Sequence, residues 1–289
     1  MSEKATVTDK APVTDKAPAV LKKGMRAGRD GGLGWGLRIV VGLTGLLLIA
    51  PTAVVIPMSF SSGTTFQFPP DGWSLRWYES FFTSERWMRS LLTSVQIALL
   101  VAITATVLGV AVAYGLSRTR FRGRGTIRSL MMAPLIVPSI VVAVAIYGVF
   151  LKWQLNGTAV GYVVAHTVMA LPFVVTVMST SFAGYDRTLD TAAATLGATA
   201  WKTFFRITVP LVAPGVLSGF VFAFVMSLDE VVIALFLQTP DITTLPVQMY
   251  NSITLEIDPT IAAASSLMVV ATSIVLLMPQ FVRRKRSTS

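Results

Sequence analysis

Six stretches of this chain are long and apolar enough to cross a lipid bilayer: Ile39–Met58, Leu91–Leu116, Leu130–Leu151, Thr158–Phe182, Leu211–Leu237 and Thr260–Val282. A helix rises about 1.5 Å per residue and the hydrocarbon core is about 30 Å thick, so each crossing needs roughly 20 mostly apolar residues. Backbone amides in lipid must be satisfied within their own segment, so runs of this length predict helices despite their Val and Ile content. The short alternating strands of an outer-membrane barrel are absent from the sequence. Only 13% of residues are charged against 53% apolar, too little polar surface for a soluble globule of this size.

The net charge of +10 would suit a nucleic-acid binder, but its distribution argues against one. With six crossings, 20 of the Lys and Arg residues fall on the side that holds both termini and 4 on the other. The basic side is the cytoplasmic one, so both termini are expected in the cytoplasm of a bacterial inner-membrane protein. The same clusters suit the anionic headgroups of membrane lipids. Nucleic acid is therefore not an expected partner. With no Cys and the single His166, the chain has no thiolate site or His cluster, so neither a metal nor a cofactor is expected. No Gly-Lys dipeptide occurs, hence no Walker A loop.

Residues 1–36 contain a tandem VTDKAP repeat, Val7–Pro12 and Val13–Pro18, without apolar periodicity. They are expected to form a disordered cytoplasmic tail ahead of a membrane domain over residues 37–283, with a basic cytoplasmic end at 284–289. A cleaved signal is the alternative for the first apolar run; its length and the lack of a small-x-small site favour a retained anchor. The outer loop after it carries Pro69-Pro70-Asp71-Gly72, then Trp73, Trp77 and Tyr78. This is turn chemistry followed by residues suited to a helix at the membrane interface.

The segment between the fourth and fifth runs, from Gly184 to Val209, is the most informative. From Tyr185 it reads YDRTLDTAAATLGATAWKTFFRITVPLVAPG. Ala192, Ala193 and Ala194 favour a helix, Gly197 can end it in a left-handed turn, and Ala198 to Ile207 can form a second short helix before Pro210 opens the next crossing. Trp201, Phe204 and Phe205 either pack on the protein's own core or present a knob to another protein.

Acidic residues inside the fifth run need a reason, because a charge near the bilayer centre costs about 2.5–3.5 kcal/mol on insertion scales. Asp229 lies about 27 Å of helix beyond Leu211, with Glu230 next and seven apolar residues still to come. A broken or re-entrant element lining a cavity would accommodate them. There the carboxylates either hold a solute ammonium or merely mark the helix break. Asp241, Glu256 and Asp258 follow with no Lys or Arg between Leu237 and Pro259, an acidic mouth that either favours cations weakly, mainly by encounter rate, or equally reflects the usual avoidance of positive charge on the outer side. Gln248, Tyr250 and Asn251 are further polar candidates, while His166 reads as a hydrogen-bonded packing residue. Gly215 and Gly219 form a GxxxG pattern, a close helix contact or chance, and Pro134, Pro138 and Pro172 can kink their spans.

The spacing of Ala192-Ala193, Gly197, Ile207 and Pro210 resembles the cytoplasmic EAA signature of binding-protein-dependent ABC importer permeases. Thr191 stands where that family usually has Glu, and Val209 where it usually has Leu. The resemblance implies an all-α, six-span permease of the MetI-like type. It further implies a coupling helix, involving Trp201, Lys202, Phe204 and Phe205, that docks on ABC ATPase subunits. A second permease subunit and an extracytoplasmic solute-binding protein would complete the importer. A narrower likeness, carried by PPDGWSLRWYESF from Pro69, LPFVV from Leu171, SLDEVVIALFL from Ser227 and LPVQMYNSI from Leu245, is to the second permease type of the spermidine/putrescine branch. It implies a small-molecule polyamine as solute and a transport subunit without its own hydrolytic chemistry. Other organic solutes remain open, and a self-sufficient secondary transporter or a membrane-embedded enzyme are weaker alternatives.

Overall fold

The computed structural model describes residues 35–286 apart from Phe66, Asp71, Arg120 and Ile257, with side chains up to Met278 save that of Glu256. The tandem repeat and nearly all of the expected tail lie outside the described residues, as do residues 287–289. Two units are present, Met1–Pro51 and Thr52–Ser289. Helix α1 (Trp35–Ser59) begins in the first, where almost every described side chain is exposed, as a lipid-facing apolar helix requires.

In the second unit the elements follow as α2 (Arg76–Thr83), α3 (Glu85–Arg118), α4 (Arg124–Ile136), α5 (Ser139–Trp153), α6 (Ala159–Ala183), α7 (Thr188–Thr195), α8 (Ala200–Thr203), α9 (Val209–Leu228), α10 (Val232–Leu237), α11 (Leu245–Asn251) and α12 (Thr260–Arg286). A π-helical turn, Phe204–Thr208, joins α8 to α9, and a second, Ser252–Glu256, follows α11. Among the described residues, five helical spans are long and apolar enough to cross a membrane, and a bent pair makes up to six.

That pair is where the chain departs from the continuous helix expected over Leu130–Leu151. Helix α4 ends at Ile136, α5 begins at Ser139, and the two are bent by 103°. The physical cause is Pro138. Its ring disfavours the helical conformation in the residue before it, and Val137 is extended at φ −78° and ψ 133°.

Helices α3, α6 and α9 form the core. Val101, Ala102 and Ala105 of α3, Ala170, Val174 and Met178 of α6 and Ala223 of α9 are all but fully buried. Close approach rests on small residues, since helices in lipid associate through packing rather than hydrophobic expulsion. A Cβ on Gly109 would lie 2.5 Å from Val174 Cγ1, and one on Gly215 would lie 2.0 Å from Ser181 Oγ. Gly219 also faces Val174. The GxxxG pattern of α9 is therefore a packing surface against α6.

The expected interfacial helix is α2, and it is anchored rather than free. Phe81 is fully buried with Trp87, Leu245 and Ile261. The Tyr78 hydroxyl donates to Ser266 Oγ at 3.2 Å, Ser80 Oγ and Thr260 Oγ1 are 3.1 Å apart, and Trp87 Nε1 donates to Asp258 Oδ2 at 3.1 Å.

Candidate functional site

The segment between α6 and α9 folds as two short helices around a fixed turn. Gly197 adopts φ +79°, a left-handed conformation that costs other residues steric strain. Its N–H donates to Ala194 O at 3.0 Å and that of Ala198 to Ala193 O at 3.0 Å, the paired bonds of a Schellman end. Thr199 then caps α8, its hydroxyl accepting from Lys202 N at 3.4 Å.

This turn divides the segment's side chains into two sets. Facing inward are Ala193, Thr203 and Thr208, all buried, with Phe204 and Ile207 half-buried. Phe204 packs edge-on against Tyr114 of α3 at 4.7 Å between centroids. Facing outward are Leu196 at 88% exposure, Trp201 at 73% and Phe205 at 49%, with Thr191, Ala192, Gly197, Lys202 and Pro210 also exposed. Trp201 packs against Phe205 with ring centroids 4.6 Å apart and tilted by 59°, so the two aromatic side chains form one surface. A polar segment that holds a Trp and a Phe open at its surface carries the kind of apolar anchor that buries against a protein partner.

Behind this surface lies a cluster that motif reading missed. Arg118, the last residue of α3, pairs with Asp190 of α7 at 2.5 Å, and the Tyr185 hydroxyl donates to the other Asp190 oxygen at 2.9 Å. Partial burial alone would raise the Asp190 carboxyl; the Arg118 guanidinium and the Tyr185 hydroxyl outweigh it and hold the group below its ordinary 3.8. Asp190 is thus ionised throughout the neutral range. The available signal was its position one residue before Thr191.

Asp229 and Glu230 sit at a true break. Helix α9 ends at Leu228, Asp229 follows as its exposed C-cap, and α10 starts at Val232. The Glu230 carboxylate accepts from Ile233 N at 3.0 Å and so caps α10. One residue before the break, Ser227 Oγ lies 2.9 Å from the buried His166 Nδ1, as a packing histidine requires. Tyr162 supports α10 from below, its hydroxyl 3.3 Å from both Ala234 O and Ile242 O.

The other polar candidates gather elsewhere. Gln248 and Asn251 line a cavity of about 830 Å³ together with Glu85, Arg89, Asp241 and Asp258. Asp229 and Glu230 are not among its walls. Gln248 Nε2 donates to Ser252 Oγ at 3.2 Å, Asn251 Nδ2 donates to Gln238 Oε1 at 3.3 Å, and Tyr250 is exposed. Among the described residues no cluster of His, Cys, Asp and Glu fit to hold a metal occurs.

Residues 105–287, more than half of the chain, match the family described as binding-protein-dependent transport system inner membrane component. The putrescine transport system permease protein PotI of Escherichia coli K12 is 33% identical over 246 residues, covering 82% of this chain and 87% of the relative. The spermidine/putrescine transport system permease protein PotC of Haemophilus influenzae is 28% identical, covering 83% and 93%. A probable molybdenum ABC transporter permease of Haloferax volcanii is 35% identical over 68% of this chain and 76% of its own length. In fold, the chain is similar to a solved bacterial ABC transporter involved in alginate import, with a TM-score of 0.66 at 16% identity over 85% of this chain and 94% of the other. The family match, the permease relatives and the apolar helical spans together show that the chain belongs to the binding-protein-dependent inner-membrane transport components, as a multi-pass ABC permease subunit.

Proposed function

We propose that this permease serves an ATP-driven importer of a small organic solute, with a polyamine of the putrescine or spermidine type as the best-supported cargo. The 184–209 segment docks on ABC ATPase subunits at the cytoplasmic face, where both termini also lie. A second permease subunit completes the pathway, and an extracytoplasmic binding protein delivers solute at the outer face. Closure of the ATPases on ATP moves the docked segment, the spans reorient, and solute is released inward.

The observation that carries this reading is the outward aromatic surface of Trp201, Phe205 and Leu196 beside a glycine-fixed turn. Trp201→Glu is expected to release the ATPase subunits. An aromatic anchor of this kind is worth about 2 kcal/mol or more at a protein interface, roughly 30-fold in affinity. Co-purification from detergent, compared with the unmodified complex, checks it; full retention of the ATPase would refute docking through this aromatic surface.

The polyamine reading is supported by the two polyamine permease relatives and by carboxylates at the outer end of the helical core. Asp229 is exposed at the break in the fifth span and free to accept a solute ammonium. Asp241 and Asp258 line the separate 830 Å³ cavity, alongside Glu85, Arg86 and Arg89. A hydrogen bond to a charged group contributes about 1.5–3 kcal/mol, so Asp229→Asn should raise the KM for putrescine about tenfold or more. Kinetics of uptake indistinguishable from the unmodified permease would restrict Asp229 to ending the helix.

A further inference from the structure

The ion pair at the end of α3 joins two parts of the molecule with different tasks. Helix α3 has 34 residues, which makes it about 51 Å long, well beyond the thickness of a hydrocarbon core. At its first turns Glu85, Arg89 and Ser90 line the 830 Å³ cavity, and Trp87 is hydrogen-bonded to Asp258. At its other end Arg118 meets the segment whose outward surface carries Trp201 and Phe205.

The contacts at this second end are numerous and directional. The Arg118 guanidinium is ion-paired with Asp190 at 2.5 Å and lies over the rings of Tyr114 at 5.0 Å and Tyr185 at 5.7 Å. Tyr185 donates to Asp190 and accepts from Thr208 Oγ1 at 3.4 Å, which ties in the π-helical turn leading to α9. Arg187, just before α7, donates to the backbone carbonyl of Ser117. Both charged side chains of the pair are half-buried, 25% and 16% exposed. Such a pair resists separation more than a solvated one, because removing either partner strands the other charge.

We infer that the Arg118–Asp190 pair, held by Tyr185, is a positioning clamp that makes α3 the rod linking the ATPase-facing segment to the outer cavity. Asp190 supplies, one residue earlier, an acidic group in a motif whose next position is Thr191. Its partner is the chain's own α3 rather than another subunit. The clamp rests on the docking reading above, and its role is to hold α7 in register with α3 so that displacement at one end is felt at the other.

The test uses the whole complex in lipid nanodiscs, reading basal ATP hydrolysis, its stimulation by the solute-binding protein added at the outer face, and retention of the ATPase subunits. Arg118→Glu and Asp190→Arg are each expected to lower stimulation about tenfold, within the range of typical coupling energies, and by clearly more than they lower basal hydrolysis or ATPase retention. The double variant, which restores the pair in reverse, is expected to recover stimulation to within about threefold. A simple folding role would instead lower basal hydrolysis and subunit retention together. Unchanged stimulation in the single variants overturns the inference, as does an assembled double variant that stays unstimulated. If the reversals fail to accumulate, Arg118→Gln and Asp190→Asn decide by the same measurement, unchanged stimulation again overturning the clamp. Trp201→Glu run alongside reads the docking surface separately: a complex that keeps its ATPase in that variant refutes the docking reading, whatever the clamp variants do.

Discussion

Replacing Gly197 with Val should abolish coupled transport while leaving a permease that still inserts in the membrane. The position sits at φ +79°, and a β-branched side chain there costs about 1–3 kcal/mol in backbone strain. The least costly response is to unwind the turn, which breaks the Gly197–Ala194 and Ala198–Ala193 bonds and re-aims α8, including Trp201. Space is not the obstacle, because nothing lies within 4 Å of a Cβ built on Gly197. The damage should therefore follow tolerance of the left-handed region, with Asn mild, Ala intermediate and Val severe. Transport per ATP hydrolysed, measured across that series, checks the ordering. A fully coupled Gly197→Val complex would show that the turn does not set the docking surface.

This geometry also changes the reason for an effect of Gly197→Asp. On sequence alone, an aspartate there reads as a buried charge in a docking turn; in the fold, Gly197 is exposed and Asp is among the residues that tolerate such a φ. Gly197→Asp consequently probes the charge of the docking face, and Gly197→Val probes the turn. Normal transport by the Asp variant would count against burial of that face under the ATPase.

Gly109→Leu is expected to prevent the subunit from accumulating in a folded form. Even the first carbon of a side chain would lie 2.5 Å from Val174 Cγ1 and 2.8 Å from Val174 Cβ, at the point where α3, α6 and α9 meet. Neither atom is the end of a flexible chain, so the helices themselves must part. Overpacking of this kind costs about 1–3 kcal/mol or more, and the lost helix contacts have no hydrophobic expulsion to compensate them in lipid. Gly115→Ala is the matched control on the same helix, since its added Cβ meets nothing within 4 Å. Size-exclusion profiles and thermal stability in detergent should separate the two variants; equal behaviour would mean that Gly109 does not set the α3–α6 distance. Gly109→Ala combined with Val174→Ala should recover part of the loss.

The spans were legible because length and apolarity are local properties, and the Gly197 turn because its residues sit in consecutive positions. Pro138 was visible as a source of kinking, but whether it bends a helix or ends it depends on what packs beyond it. Here α5 leaves at 103° to lie on α10, where Tyr147 meets Phe236 at 6.1 Å. The division of the aromatic trio was not legible either. Trp201, Phe204 and Phe205 are equally apolar in sequence, and only the π-helical turn and the position of Tyr114 decide that Phe204 goes in while Trp201 stays out. Pairing of Arg118 with Asp190 joins residues remote in the chain, so no local pattern announces it. The local role of Glu230 was not legible either: its carboxylate accepts from the Ile233 amide, a contact set by where α9 ends and α10 begins.

Accumulation of radiolabelled putrescine and spermidine in proteoliposomes tests the central claim most directly. The vesicles would contain this subunit, its partner permease and the ATPases, assayed with and without ATP and the binding protein. Uptake that requires both ATP and binding protein is the predicted result. A complex that assembles and hydrolyses ATP on addition of binding protein, yet moves neither polyamine, would contradict the proposed cargo.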